Sequence, residues 1–324
     1  MTDLEINSLY EKETPIIKLI HETYLQSIKK SLEKNYFPKY IDNKKWKCFS
    51  DYSFDNKKPN NVITFTLLPY VIDFNILSSA IKEYAPKEIK KTQSINPKFI
   101  EFIKHSPFVT FSFILENHEN LFLESKEFLK DSMLLSLNQI VNENIPNWTV
   151  ETSHLEKYHK EIAKKTKKVI RLIEENKKIK ILKNMFLITS IGSYLCTQFA
   201  NKTNAEIMGW FSDRDEINDV ADKYSIDLFN FQFCEYLKNR NCEFVAAPAS
   251  SQDNEWYQEL IKIPDFITGA LADYSFETEL VSHNKFIPLL RELIADNDRN
   301  VFVFKLKFDN VTGMKCARVK YFKE

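Results

Sequence analysis

Asp51, Asp213 and Asp265 are the acids of this 324-residue chain that stand where strand ends and a late helix could make carboxylates do chemistry together. Carboxylate oxygens are the ligands that hard divalent cations such as Mg²⁺ or Mn²⁺ prefer. Several of them converging on two ions about 3.5–4 Å apart is the arrangement that hydrolyses phosphodiesters. Asp51 closes the apolar run W-K-C-F-S, Asp213 closes A-E-I-M-G-W-F-S, and Asp265 lies in the run I-P-D-F-I-T-G-A-L-A-D-Y. Strand ends and helices are stiff enough to hold such a constellation. Each acid also has an ordinary structural role to fill. Asp51 can open a turn between two strands. Asp213 with Glu216 matches a helix capping box. Asp265, next to Pro264, suits the first turn of a helix, where the macrodipole favours a negative charge.

The elements that must position these acids follow from hydrophobic periodicity. Helical spacing of Leu9, Ile16, Ile17, Leu19, Ile20 and Leu25 predicts a helical region over the first 45 residues. The run from Trp46, the turn-rich D-N-K-K-P-N-N and the run N-V-I-T-F-T-L-L-P-Y-V-I predict an antiparallel hairpin. Short helices are expected at about 74–84 and 97–104, then the strand F-V-T-F-S-F-I-L. Helical texture fills 125–142 and a basic stretch at 154–183, and a further helix is expected over 185–199. Strands then alternate with helices: the run ending in Asp213, a helix at about 216–238, the strand C-E-F-V-A-A-P-A, a helix around 254–274, and a closing hairpin from V-F-V-F-K-L-K-F and K-C-A-R-V-K-Y-F. That order predicts an α/β fold with a mixed sheet and helices on its faces. The expected domains are a helical extension at 1–45, a central domain at 46–275 with a helical insertion at about 145–184, and a C-terminal helix and hairpin at 276–324 packed on the same domain.

Composition narrows the function. Hydrophobic residues make up 44% and charged residues 28%, enough for a packed core. No apolar run approaches the length of a membrane span, and no secretory segment is visible, so a cytoplasmic protein without membrane contact is expected. The five cysteines are scattered and form no C-x-x-C pair, which gives no sign of zinc or disulfides. With four glycines, no G-x-G-x-x-G or phosphate-cradling loop can be written. Net charge is zero but uneven: eleven Lys or Arg face four Glu between 155 and 183, while nineteen acids face eight bases between 205 and 300. Such asymmetry suits a nucleic-acid-binding face beside an acidic site, and equally two solvated surfaces.

In order, F-S-D-Y-S at 49–53, K-E-I-K-K at 87–91, W-F-S-D-R-D at 210–215 and I-P-D-F-I-T-G-A-L at 263–271 resemble the motifs of a widespread bacterial family of uncharacterised proteins with a ribonuclease-H-like fold. That family opens on a strand ending Asp-Glu-Ser-Gly and closes on a helix reading Ala-Asp-Leu-Ile-Ala-Gly-Ala. The resemblance spans roughly 46–275. It implies a ribonuclease-H-like mixed sheet, with Asp51, Glu88, Asp213 and Asp265 as both the catalytic and the metal-ligating carboxylates. Tyr52 stands where the family has glutamate, and Phe54 where it has glycine. Gly269, one turn after Asp265, would leave room for an ion or a substrate backbone.

The expected activity is a Mg²⁺- or Mn²⁺-dependent nuclease acting on RNA or DNA, by analogy a defence or toxin effector. Lys90, Lys91, Arg214 and the basic segment 157–183 would contact phosphates, and His283 would assist proton transfer. A Toprim-type site built from Asp213, Asp215 and Glu116 is a more distant alternative. The competing expectation from another class is a catalytically inert interaction subunit, bound to a protein partner through its helical extensions and with Tyr52 blocking the site.

Overall fold

The computed structural model describes residues 15–117, 126–213, 215–237, 241–248, 256–309 and 313–321. Expectations resting on Leu9, Arg214 and the start of the helix expected from 254 fall outside them. Three helices lead: α1 (Pro15–Ser27), α2 (Lys29–Asn35) and α3 (Phe37–Tyr40). Strands β1 (Lys45–Ser53) and β2 (Asn61–Pro69) form the expected hairpin, followed by α4 (Phe74–Tyr84), a 3₁₀ turn at Ile89–Lys91, α5 (Pro97–His105) and β3 (Val109–Glu116). Next come α6 (Lys126–Gln139) and a π-helical turn, then, within the expected insertion, α7 (Ile145–Glu151) and α8 (Glu156–Glu174). Then come α9 (Ile179–Thr203), β4 (Ile207–Ser212), α10 (Glu216–Asp219), α11 (Tyr224–Tyr236), β5 (Glu243–Pro248), α12 (Gln258–Asp273), β6 (Val301–Asp309) and β7 (Gly313–Val319).

All seven strands join one mixed sheet in the order β5-β4-β1-β2-β3-β6-β7. The ladders β1–β2, β2–β3 and β6–β7 are antiparallel, while β1–β4, β4–β5 and β3–β6 are parallel. The C-terminal hairpin therefore extends the central sheet through hydrogen bonds from β3 to β6.

The sheet is covered on both faces, which explains why β2 and β3 read as nearly continuous apolar runs. Strand side chains alternate between faces. Cys48, Phe65, Phe111, Trp210 and Phe304 face α1, α9 and α11 in one core. Phe49, Val62, Ile114, Phe211 and Val303 face α4, α5 and α12 in the other. The N-terminal helices belong to the first core, with Ile17, Ile20, Ile28 and Leu32 buried. Among the described residues no helix is long and apolar enough to cross a membrane.

Two predicted helices differ in extent. The helix expected over 185–199 runs from Ile179 to Thr203. The one expected over 216–238 is broken in two by Ala221, Asp222 and Lys223, all left-handed at φ 49°, 61° and 64°. An L-residue there costs roughly 1–2 kcal/mol, and nine described non-glycine residues take positive φ.

Candidate active site

The site is built by register. Phe49 pairs with Phe211 and Ser50 with Ser212 on the neighbouring parallel strands β1 and β4. One step beyond those pairs stand Asp51 and Asp213, on strands about 4.8 Å apart and on the same sheet face as the stacked Phe49 and Phe211 rings. Asp51 does not open a turn as its sequence suggested. It lies within β1, paired with Thr64, because the hairpin turn begins only after Ser53. Nor does Asp213 cap a helix. Asp215 is the N-cap of α10, its carboxylate accepting the Asn218 amide at 2.8 Å. The two overlapping D-x-x-polar patterns differ by two residues, and the second wins.

Helix α12 supplies Asp265 from above the sheet. It begins at Gln258, so Pro264 sits inside it and Asp265 lies mid-helix rather than in the first turn. A proline there removes the hydrogen bond to the Leu260 carbonyl. Thr268 Oγ1 donates to the Asp51 carbonyl at 3.4 Å, tying α12 to β1. Asp265 Oδ2 accepts the Ile89 backbone N–H at 3.2 Å. Gly269 leaves no room for an ion, because the Ile89 side chain fills that space: a Cβ on Gly269 would stand 3.2 Å from Ile89 Cγ1. Lys285 Nζ donates to the carbonyls of Ile89 and Thr92 at 2.7 and 2.9 Å. The segment carrying Glu88 and Lys90 is thus gripped from three sides.

The charges bear on one another. Burial first, then the negative charges of Asp265 and Asp213, push the Asp51 carboxyl well above the usual carboxylate range. Burial pushes Asp265 up to about 6, opposed by the Ile89 hydrogen bond and Lys90 and assisted by Glu88 and Asp213. Lys90 is the cation acting on both aspartates. Lys91 pairs with Glu88 at 3.1 Å, both exposed.

Three residues that spacing alone did not single out brace the end of β4. Asn218 Nδ2 lies 2.8 Å from the Asp213 carbonyl, 2.5 Å from Ser212 Oγ and 2.7 Å from Tyr52 Oη. The Tyr52 hydroxyl also meets Asp215, and burial with that negative charge holds the phenol protonated. Tyr52 therefore does not block the carboxylates; alternation sends its ring to the opposite face, against Phe54. The polar run Asp215-x-x-Asn218 was the available signal for this brace.

The Toprim-type alternative fails on position. Glu116 ends β3, three strands from β4, and pairs with Lys305 at 2.5 Å and Lys307 at 3.5 Å. His283 is exposed, its ring 6.4 Å from that of Phe286. All five cysteines are free thiols.

Crowded, partly desolvated carboxylates with one lysine among them have the donor chemistry that suits a hard divalent cation. As the side chains stand, no group of three His, Cys, Asp or Glu among the described residues is gathered closely enough to hold one.

Comparison with protein-family models, with curated proteins and with solved structures finds no match to this chain.

Proposed function

We propose that the chain is a Mg²⁺- or Mn²⁺-dependent nuclease with a ribonuclease-H-like sheet, acting on RNA or DNA in the cytoplasm. One observation carries the reading: the β1–β4 register sets Asp51 beside Asp213, and α12 brings the charge of Asp265 onto both. The strand order β5-β4-β1-β2-β3, with β2 alone reversed among those five, supports the fold assignment.

Asp51, Asp213, Asp265 and Glu88 are the residues that would hold the cations. A bound divalent cation supplies Lewis-acid activation of water and neutralises charge on the phosphoryl oxygens. The chain's own part is positioning. Ile89 fixes the rotation of the Asp265 carboxylate, Asn218 fixes the backbone that presents Asp213, and Lys90 offers positive charge to an incoming phosphate. Lys91 supplies a second charge beside Glu88. Further out, Lys157, Lys164, Lys167 and Arg171 form an exposed stripe along α8, at successive steps of seven, three and four residues. Lys168 of that helix pairs at 2.9 Å with Asp222, in the turn between α10 and α11 that follows β4. Helix α8 packs in the first core, on the sheet face opposite the carboxylates, and its exposed basic stripe suits a phosphate backbone.

The test is cleavage of labelled RNA, single- and double-stranded DNA and hybrid by the wild type and Asp213→Asn, each with Mg²⁺, Mn²⁺ or chelator. The expected outcome is metal-dependent cutting that the substitution abolishes. The unclosed ligand set favours a second reading, an inert interaction subunit, and absence of cutting on every substrate would select it.

A further inference from the structure

At the other end of β1 a lysine is surrounded by rings. Lys47 Nζ lies 3.5 Å from the Phe74 ring centroid, 4.0 Å from Trp256, 5.5 Å from Tyr70 and 5.9 Å from Phe211. Among the described residues, ring faces and not a carboxylate meet this ammonium. Gly209 on the adjacent strand makes room for one of these rings: a Cβ there would stand 2.6 Å from Phe211 Cε2, and only in ordinary contact, 3.5 Å, with Lys47 Cγ. The rings touch in sequence, Tyr70–Phe74 at 4.9 Å, Phe74–Trp256 at 5.2 Å and Trp256–Phe211 at 5.0 Å. Core aromatics would be covered, but Tyr70 is 44% and Trp256 43% exposed, beside the exposed Val71 and Ile76. An apolar surface of that kind on a chain of balanced charge marks a binding surface.

Its position relative to the carboxylates says what it binds. Lys47 and Asp51 are four residues apart on β1, hence on one sheet face and about 13 Å apart. From Tyr257 to Asp265 along α12 the distance is again about 12 Å. Platform and carboxylates therefore lie along one face, spaced by about four nucleotides at a stacked strand's 3.4 Å rise. Partly exposed rings beside ammonium groups, here the ring-enclosed Lys47 and the exposed Lys45, are the combination that takes a base and its phosphate together. A duplex keeps its base faces covered, so only an unpaired base can stack.

We propose that Tyr70, Phe74 and Trp256 form a stacking platform for an unpaired base, with Lys47 taking the adjoining phosphate, so that the chain's substrate is single-stranded nucleic acid. The proposal rests on the nuclease reading for the identity of the carboxylate site, and names the substrate class for it.

The test measures binding of fluorescent single-stranded and fully duplex oligonucleotides by full-length Asp213→Asn protein, with Trp256→Ala, Trp256→Phe, Tyr70→Ala or Lys47→Met added. Trp256→Ala and Tyr70→Ala are expected to weaken single-strand binding about tenfold each. Trp256→Phe should retain most of the affinity, duplex binding should stay unchanged, and binding of the single strand should quench tryptophan fluorescence only when Trp256 is present. Lys47→Met should flatten the salt dependence by about one unit of slope. Single-strand affinity indifferent to Trp256 and Tyr70 would overturn the platform, as would equal losses for duplex and single strand. Self-association abolished by Trp256→Ala, with oligonucleotide affinity untouched, would give the patch to a second copy of the chain instead. A wild type that binds single strands through Trp256 yet never cuts sinks only the nuclease reading. One that cuts with no help from Trp256 sinks only the platform.

Discussion

Asp265 Oδ2 accepts a hydrogen bond from the backbone N–H of Ile89, 176 positions away in sequence, at 3.2 Å. This one contact joins the helix that carries an acid to the turn that carries Glu88 and Lys90, and it holds only because Gly269 lets Ile89 press against α12.

Replacing Gly269 with valine therefore drives the turn outward. Overpacking there costs about 1–3 kcal/mol, while alanine regains close to 1 kcal/mol of helix propensity against a milder clash. Gly269→Val is expected to lower the thermal midpoint and to cut cleavage at least tenfold, with Gly269→Ala close to wild type in both. Thermal unfolding and initial rates on one oligonucleotide measure the pair.

Asp51→Asn separates stability from activity. Burial and two neighbouring negative charges raise the Asp51 carboxyl, so its ionised form is a burden on the folded state at neutral pH. The amide is expected to stabilise the metal-free protein by about 1 kcal/mol at pH 7 while abolishing cutting. As pH falls and the wild-type carboxylate takes up its proton in the folded state, that advantage shrinks. Adding Mn²⁺ should raise the wild-type midpoint and leave Asp51→Asn unmoved. A stabilised variant that still cuts would contradict the assignment.

The stripe on α8 predicts a salt effect. Lys164→Glu with Lys167→Glu is expected to weaken binding of every oligonucleotide alike and to reduce the slope of log affinity against log salt by about one per lost phosphate contact. Fluorescence anisotropy between low and moderate salt reads it directly, and an unchanged slope would assign the stripe to solvent alone.

His21 predicts an acid weakness away from the site. Its Nδ1 lies 3.0 Å from Tyr194 Oη in the core beneath α9, where burial and then Lys29 lower its pKa to about 4. The unfolded chain binds that proton near pH 6.5 and the folded one only near 4, so stability contributed above pH 6.5 is lost as pH falls through this window. The loss is on the order of 2 kcal/mol once solvent around the ring is allowed for. Denaturant midpoints from pH 7 to pH 4 should fall less for His21→Gln than for wild type.

Much of the sheet was legible in the chain. The D-N-K-K-P-N-N turn announces the β1–β2 hairpin, and alternation of strands with helices announces the parallel β1–β4–β5 half. The pairing of β3 with β6 was not, since Thr110 and Val301 are brought side by side by topology and by no local pattern. At the site, Asp51, Asp213 and Asp265 could be chosen as acids at element ends, but their local roles were misread. Asp213-x-x-Glu216 and Asp215-x-x-Asn218 are the same spacing, and only the path of the chain decides which caps. Pro264 signals a helix start by general preference, yet α12 begins six residues earlier because its apolar stripe outweighs one lost hydrogen bond. What fills the space beside Gly269 belongs to a segment nearly two hundred residues away, so its neighbours along the chain carry no trace of it.

The left-handed corner at Ala221, Asp222 and Lys223 has a consequence for engineering. A chain with only four glycines has spent none of them where its backbone turns most sharply between α10 and α11. Ala221 and Lys223 sit in a mirror-image geometry that glycine enters freely. Such corners are unclaimed thermostability: they can be relaxed one residue at a time, giving a hardier protein whose acids, rings and lysines stay as they are.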